Sequence, residues 1–181
     1  MFIQDMTRQA SLDLLTRTRL GRLACENNGQ PYITPITFAC DKEYLYAFST
    51  LGKKIHWMRA NPRVCMEADE LMTQHDWATV IVTGRYEELT DTPEHKDRQI
   101  HAYNLLQKNK LWWEPGYVKT VLAGTERSTS KHMYFRIHID EISGHRGVPD
   151  TVASQRSSVI TRFMGWLQRI LKAARTPLGN R

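Results

Sequence analysis

Short apolar or alternating segments follow one another along the first 90 residues, with turn-forming residues between them. Asn27-Asn28-Gly29 joins two of these segments, and Asp41-Lys42-Glu43 joins the next pair. Asn and Gly adopt positive φ angles easily, so such turns predict antiparallel hairpins. Antiparallel strands with few helices between them close most readily into a small barrel. The sequence therefore predicts a mainly β protein, a β-barrel with a few helices.

The remaining segments complete this prediction. We expect strands at 20–26, 32–40, 44–49, 64–68, 78–89 and 133–142. Three helices are predicted: one capped by Ser11, one ending near Asn61-Pro62, and one opened by Thr92-Pro93-Glu94. The third has an apolar face of Ile100, Tyr103, Leu105 and Leu106. The predicted organisation is a domain at 1–143, a linker at 144–158, and a helix at 159–175 with a short tail to residue 181.

Cysteine usage and the N-terminal residues indicate a cytoplasmic protein. Cys25, Cys40 and Cys65 form no CxxC pair and lie in apolar segments, which is typical of buried free thiols. The histidines show no metal-ligand spacing, so no metal site is predicted. Residues 1–8 do not resemble a secretory signal, and no segment is apolar enough for a membrane-spanning helix.

The segment Ser49-Thr-Leu-Gly-Lys-Lys54 carries the clearest chemical signal. Two hydroxyl residues end a predicted strand, and two adjacent lysines begin a predicted helix after a glycine. Hydroxyls, helix N-terminal amides and ammonium groups suit a phosphate monoester. A solvated turn is the simpler interpretation of these six residues alone.

The order of several short motifs extends this signal. Gly21-Arg-Leu-Ala24, Pro31-Tyr-Ile-Thr-Pro-Ile36, Leu45-Tyr-Ala-Phe-Ser49, Gly52-Lys-Lys54 and Ala60-Asn-Pro-Arg-Val-Cys65 follow one another. This set resembles the FMN-binding split-barrel family related to pyridoxamine 5′-phosphate oxidase, and especially its nitroimidazole-reductase-like branch. The resemblance covers about residues 20–89 and continues more loosely to residue 142.

The resemblance implies where a flavin would bind. Thr34, Pro35, Ile36, Thr37 and Phe38 match the strand whose backbone faces the isoalloxazine ring. The phosphate-binding residues correspond to Ser49, Thr50, Lys53 and Lys54, and Thr79 matches a position that often reaches the flavin. The family also implies a homodimer whose two FMN sites are built from both subunits.

The resemblance further implies an FMN-dependent oxidoreductase that acts on a small organic substrate with NADH or NADPH as donor. The alternative is a non-catalytic protein that binds a flavin, a deazaflavin or haem. No catalytic residue is assigned. The arginine-bearing segment that pyridoxamine-phosphate oxidases use on their substrate is not recognisable after Ile142, and Lys53 replaces a histidine of some nitroimidazole reductases. For Trp57, Trp112 and Trp113, contact with the flavin or substrate and burial in a core or interface both stay open.

The formal charge of +6 belongs entirely to the last 31 residues. Residues 151–181 contain six basic side chains and no acidic one, whereas residues 1–150 contain 19 of each. Between residues 159 and 175 the apolar residues fall on one side of a predicted helix, opposite Arg162, Arg169 and Lys172. This helix has three candidate binding partners: the barrel or dimer, an anionic membrane surface at the inner face of the membrane, or a protein groove or nucleic acid. Nucleic acid binding by the neutral barrel is not expected.

Overall fold

The computed structural model describes residues 1–108 and 133–148. In these ranges the chain forms seven strands and three helices: β1 (Phe2–Asp5), α1 (Arg8–Arg17), β2 (Leu20–Asn27), β3 (Gln30–Asp41), β4 (Tyr44–Ser49), α2 (Lys53–Ala60), β5 (Arg63–Thr73), β6 (Asp76–Leu89), α3 (Lys96–Gln107) and β7 (Met133–Val148). Trp112, Trp113 and the helix predicted at 159–175 lie outside the described residues.

All the strands belong to one antiparallel sheet that closes on itself. Its order is β1-β7-β4-β3-β2-β5-β6, and β6 also pairs with β7. Six strands therefore form a barrel, while β1 adds to the end of β7 through the pairs from Phe2–Val148 to Asp5–His145. The predicted mainly β barrel with few helices is confirmed. None of the three helices in the described ranges is both long and apolar enough to cross a membrane.

Inward-facing side chains fill the barrel. Alternate residues of the strands point into one apolar cluster, and α1 contributes two leucines that are fully buried. The largest members are Leu14, Leu15, Leu23, Phe38, Leu45, Ile55, Met58, Met66, Phe135 and Ile137. A barrel of this size has no interior space left for a ligand, so a binding site has to lie on the outer surface.

Two predicted helix starts are wrong. Helix α1 begins earlier than expected, because Thr7 is its cap and accepts a hydrogen bond from the amide of Ala10. Ser11 instead lies buried within the helix, and its hydroxyl donates to the carbonyl of Thr7 at 3.1 Å. Helix α3 begins after His95, not at Thr92.

The predicted apolar face of α3 is also partly wrong. Ile100 and Tyr103 are about half exposed, whereas Ala102 and Leu106 are buried. Ala102 packs with Tyr46 and Leu89 in a small second cluster outside the barrel. The side of α3 that packs on β4 and β6 therefore includes Ala102 and excludes the larger Ile100 and Tyr103.

Strand β7 continues through residues 144–148, where the sequence predicts the start of a linker. These residues pair with both β1 and β6. Two glycines permit this close packing: a Cβ at Gly144 would lie 2.5 Å from Ser11 Oγ, and one at Gly147 would lie 2.6 Å from Trp77 Nε1. Close packing within the strand therefore requires glycine at both positions. The sequence instead suggested a linker, because glycines are common in loops.

Gly84 occupies the tightest position in the sheet. The β6–β7 register shifts between Thr83, which faces Glu141, and Gly84, which faces Ile139. A Cβ at Gly84 would overlap the carbonyl oxygen of His138 and lie 2.9 Å from Ile137 Cγ2. Closure of the barrel at this bulge therefore depends on a residue without a side chain.

Replacing Gly84 by Ala is expected to destabilise the protein by about 2 kcal/mol or more, because the added methyl group must push the β7 backbone away. Chemical denaturation measures this change. Gly52→Ala is the matched control, since no described atom lies within 4 Å of a Cβ there, the adjacent residues aside. Because Gly52 precedes the first residue of α2, alanine there should cost about 1 kcal/mol or less. Equal stability of the two variants would contradict the prediction.

Candidate functional site

The segment between β4 and α2 forms an exposed helix N-terminus. Gly52 is the N-cap of α2, and among the described residues no side chain caps the first-turn amides with a hydrogen bond. The first turn contains no acidic residue, and no atom of residues 1–108 and 133–148, the adjacent residues aside, lies within 4 Å of a Cβ built at Gly52. Uncapped amides and the helix dipole together favour an anion at such a position.

The two hydroxyl residues of this segment differ in availability. Ser49 is only 7% exposed, and its hydroxyl donates to the carbonyl of Thr50 at 2.9 Å. Thr50 is exposed. The Thr50 hydroxyl is therefore the better placed of the two to contact a ligand, and Ser49 shapes the loop.

The two lysines occupy different environments. The exposed Lys53 lies with its Nζ 4.8 Å from the ring centre of Tyr32 and 4.3 Å from that of Trp57. Lys54 is half-buried, and desolvation lowers the pKa of its ammonium group, with a smaller opposing effect from Cys25. Within residues 1–108 and 133–148, neither lysine forms an ion pair with a carboxylate. Two positive charges therefore stand at the start of α2, and no carboxylate of the described residues neutralises them.

The cysteine nearest to these lysines is Cys25, which is 4% exposed. Burial raises the pKa of its thiol, and the charges of Lys53 and Lys54 oppose that shift. Burial also raises the pKa of Cys65, and that of Cys40 to about 11. All three thiols are free, but only Cys25 is fully buried, so the prediction of three buried thiols is correct for one of them.

Strand β3 places its predicted flavin-facing residues next to this segment. β2 pairs with residues 30–37 of β3, whereas β4 pairs only with residues 38–41. In the described part of the chain, no strand pairs with the second edge of residues 31–36. Ile36 and Phe38 point into the core, so a ligand here would meet the backbone edge near Thr34 and Pro35. Contact between Tyr32 and α2 brings this edge close to the lysines.

Thr79 is not part of this assembly within one subunit. It lies on β6, three strands from β3 in the sheet order, which corresponds to about 14 Å at the usual strand spacing. Its hydroxyl donates to Glu67 Oε1 at 3.1 Å, and Glu67 also pairs with Arg22. Of the ten predicted site residues, Thr79 alone is separated from the others.

An open cleft of about 890 Å³ is lined mainly by residues of β2, β5, β6 and β7. Its lining includes the small residues Ala24 and Gly84 and the two arginines Arg63 and Arg85. Arg85 is held by Asp140 through two hydrogen bonds of 2.8 to 2.9 Å. None of the ten predicted site residues lines this cleft. No group of side chains in the described ranges is arranged to hold a metal ion.

Comparison with known proteins gives a consistent result. Residues 7–146 match the family model described as pyridoxamine 5′-phosphate oxidase. The chain belongs to this family. An uncharacterized protein of Rhizobium meliloti (strain 1021) is 42% identical to it over 144 residues, which cover 80% of this chain and 95% of that protein.

Solved structures support the same family fold. The crystal structure of a FAD-binding protein from Mesorhizobium loti is 40% identical, covers 82% of this chain and 99% of its own, and has a TM-score of 0.68. A putative pyridoxamine 5′-phosphate oxidase from Corynebacterium glutamicum is 26% identical, covers 80% and 92%, and has a TM-score of 0.61. The resemblance and the split-barrel fold that the sequence predicts are confirmed.

The contacts of Lys53 with Tyr32 and Trp57 were not predicted from the sequence. Trp57 follows Lys53 by four residues, so both side chains lie on the same face of α2. That spacing could have predicted the contact between Lys53 and Trp57 from the sequence alone. The contact between Lys53 and Tyr32 could not be predicted in this way, because it joins a helix to a strand that lies more than 20 residues earlier in the chain.

Replacing Lys54 by Met should increase the free energy of unfolding at neutral pH by up to about 1 kcal/mol, in the absence of flavin. Methionine keeps the aliphatic stem and removes a cation that burial disfavours. The depressed pKa means that the folded state holds this proton less tightly, so the penalty applies below the folded pKa. This stability penalty disappears as the pH rises towards the ordinary lysine pKa of about 10.4.

Denaturation of both proteins at several pH values measures this difference. The stability advantage of Lys54→Met should shrink between neutral pH and pH 10. Lys96→Met, at an exposed position on α3, is the control and should show no advantage. Destabilisation by Lys54→Met at neutral pH would contradict the account of Lys54 as an unneutralised, half-buried cation.

Proposed function

We propose that the protein is a flavin-dependent oxidoreductase that acts on a small organic substrate with NADH or NADPH as donor. The observation that carries this proposal is the pair of lysines at the N-terminus of α2, which no carboxylate and no capping side chain among the described residues contacts. A neutral barrel offers no general attraction for anions, so this local charge has to supply the attraction. The FAD-binding relative from Mesorhizobium loti supports a flavin as the ligand.

In this proposal, Thr50, Lys53 and Lys54 contact the phosphate of the flavin, and Ser49 supports the loop that carries them. The amides at the start of α2 add hydrogen bonds, as helix N-termini do for phosphates. FMN is our proposed cofactor, and FAD contains the same FMN moiety, so this subsite suits either. Deazaflavin and haem are the less favoured ligands.

We place the isoalloxazine ring along residues 34–38 of β3, against the edge that no described strand pairs at residues 34–36. Backbone amides and carbonyls there are positioned by the pairing with β2 on the other side. The bound flavin would supply hydride transfer. The chain would bind the phosphate, orient the ring and shield one side of it from water.

Thr79 enters the proposal only through a second subunit. We infer a homodimer in which this residue of one protomer approaches the flavin of the other. Support comes from the three-strand distance between Thr79 and β3 within one subunit, and from the filled interior, which requires an external site.

The purified protein is expected to be yellow and to bind FMN or FAD in a fluorescence titration. Replacing both Lys53 and Lys54 by Ala should weaken binding by several kcal/mol, because each charge-assisted hydrogen bond contributes about 1.5–3 kcal/mol. Chromatography of the released cofactor distinguishes FMN from FAD. The charge-matched control is the double variant Lys96→Ala/Lys108→Ala, which removes two exposed positive charges at the two ends of α3. A colourless protein that binds neither added flavin would contradict the proposal.

Activity separates an enzyme from a carrier of the same ligand. The holoprotein is expected to be reduced by NADH or NADPH under anaerobic conditions, with loss of the flavin absorption band. When a small organic acceptor is added, it should reoxidise the flavin, and the holoprotein should then oxidise NADH or NADPH over many turnovers. A stably bound flavin that neither nucleotide reduces would instead support the non-catalytic alternative, in which the protein stores or senses the flavin.

A further inference from the structure

We propose that Tyr32 and Trp57 form an aromatic clamp that positions the Lys53 ammonium group for the flavin phosphate. This inference rests on the proposed function and adds two positioning residues to the phosphate subsite. The clamp is defined by these two side chains, one from β3 and one from α2.

The geometry is that of a double cation–π contact. Lys53 Nζ lies 4.3 Å from the ring centre of Trp57 and 4.8 Å from that of Tyr32. Both distances are within the 6 Å range in which the ring quadrupole attracts a cation. The two rings meet edge to face, with centroids 5.7 Å apart and planes at 67°. Each ring therefore also holds the other in place.

The clamp is anchored at both ends. Tyr32 and Trp57 are partly buried and pack against the barrel core. Tyr32 lies opposite Cys25 in the β2–β3 register, and Cys25 is buried next to the lysines. A flexible side chain such as that of lysine loses substantial rotamer freedom when it is held in one place. Rings that are fixed by the core can restrict Lys53 before a ligand arrives.

Aromatic partners position a cation without cancelling its charge. Elsewhere in the described residues, arginines are held by carboxylates: Arg17 by Glu70, Arg59 by Glu88 and Arg136 by Glu87, each through two hydrogen bonds. A carboxylate beside Lys53 would neutralise the ammonium group and compete with a phosphate. An aromatic face leaves both the charge and the N–H donors available.

The clamp also connects the two halves of the proposed flavin site. Trp57 belongs to the helix whose N-terminus meets the phosphate, and Tyr32 belongs to the strand proposed to meet the ring. The Tyr32–Trp57 contact therefore helps fix the spacing between the phosphate subsite and the open edge of β3.

The experiment compares FMN with riboflavin, which has the same ring and no phosphate. Trp57→Leu and Tyr32→Leu should each weaken FMN binding about threefold to tenfold, with little change for riboflavin. Trp57→Phe should restore most of the affinity, since phenylalanine keeps an aromatic face. Tyr103→Leu, on the exposed side of α3, is the matched control, and circular dichroism checks that every variant is folded.

A double-mutant cycle with Lys53→Met tests whether the aromatic residues act through Lys53. In that background, Trp57→Leu should cause almost no further loss of FMN affinity. An equal loss for FMN and riboflavin, or the same loss with and without Lys53, would overturn the clamp and leave the flavin proposal standing.

A measurement without flavin separates the two proposals. In the wild-type protein, the ε-methylene protons of Lys53 should show an upfield ring-current shift by NMR, and Trp57→Leu should reduce it. Absence of this shift would overturn the clamp whether or not flavin binds. If the shift is present but the wild type binds neither FMN nor FAD, the flavin proposal fails, and the role of the clamp in holding a flavin phosphate fails with it.

Discussion

The pairing of β7 with both β4 and β6 is the constraint on which the rest of this structure depends. It closes the sheet, and closure turns the inner faces of six strands towards one small volume that apolar side chains fill. Gly84 allows this closure, because the bulge opposite it brings the β7 backbone too close for any side chain. Any ligand must consequently bind outside the barrel, at edges and helix ends that the closure leaves accessible.

One such edge and one such helix end lie next to each other. β3 is longer than its partner β4, so part of its second edge extends beyond the barrel pairing. The chain leaves β4 through a short loop and enters α2, whose N-terminus carries two lysines. The proposed flavin site therefore follows from the unequal lengths of β3 and β4. The part of β3 that extends beyond β4 provides the unpaired edge, and the chain that leaves the end of β4 provides the loop before α2.

The electrostatics of the site are local. Residues 1–150 carry equal numbers of acidic and basic side chains, and many arginines in the described part of the chain are bound to carboxylates. Lys53 and Lys54 differ from them because one is held by aromatic rings and the other is partly desolvated. The desolvation of Lys54 is expected to cost the free protein some stability, which is typical of groups retained for binding.

The sequence by itself determined the barrel, its family and the segment Ser49–Lys54, because turn residues, strand alternation and short motifs are local signals. The predicted cap of α1 and the predicted end of β7 were wrong. Ser11 is a common type of cap residue, and Gly144 and Gly147 are typical of loops, but contacts with distant residues place all three inside regular elements. Only the tertiary structure decided that Tyr32 meets Lys53, that Lys54 is half-buried, and that Thr79 lies three strands away. These features depend on contacts between residues far apart in the chain, and no local pattern specifies the distance between two strands of a closed sheet.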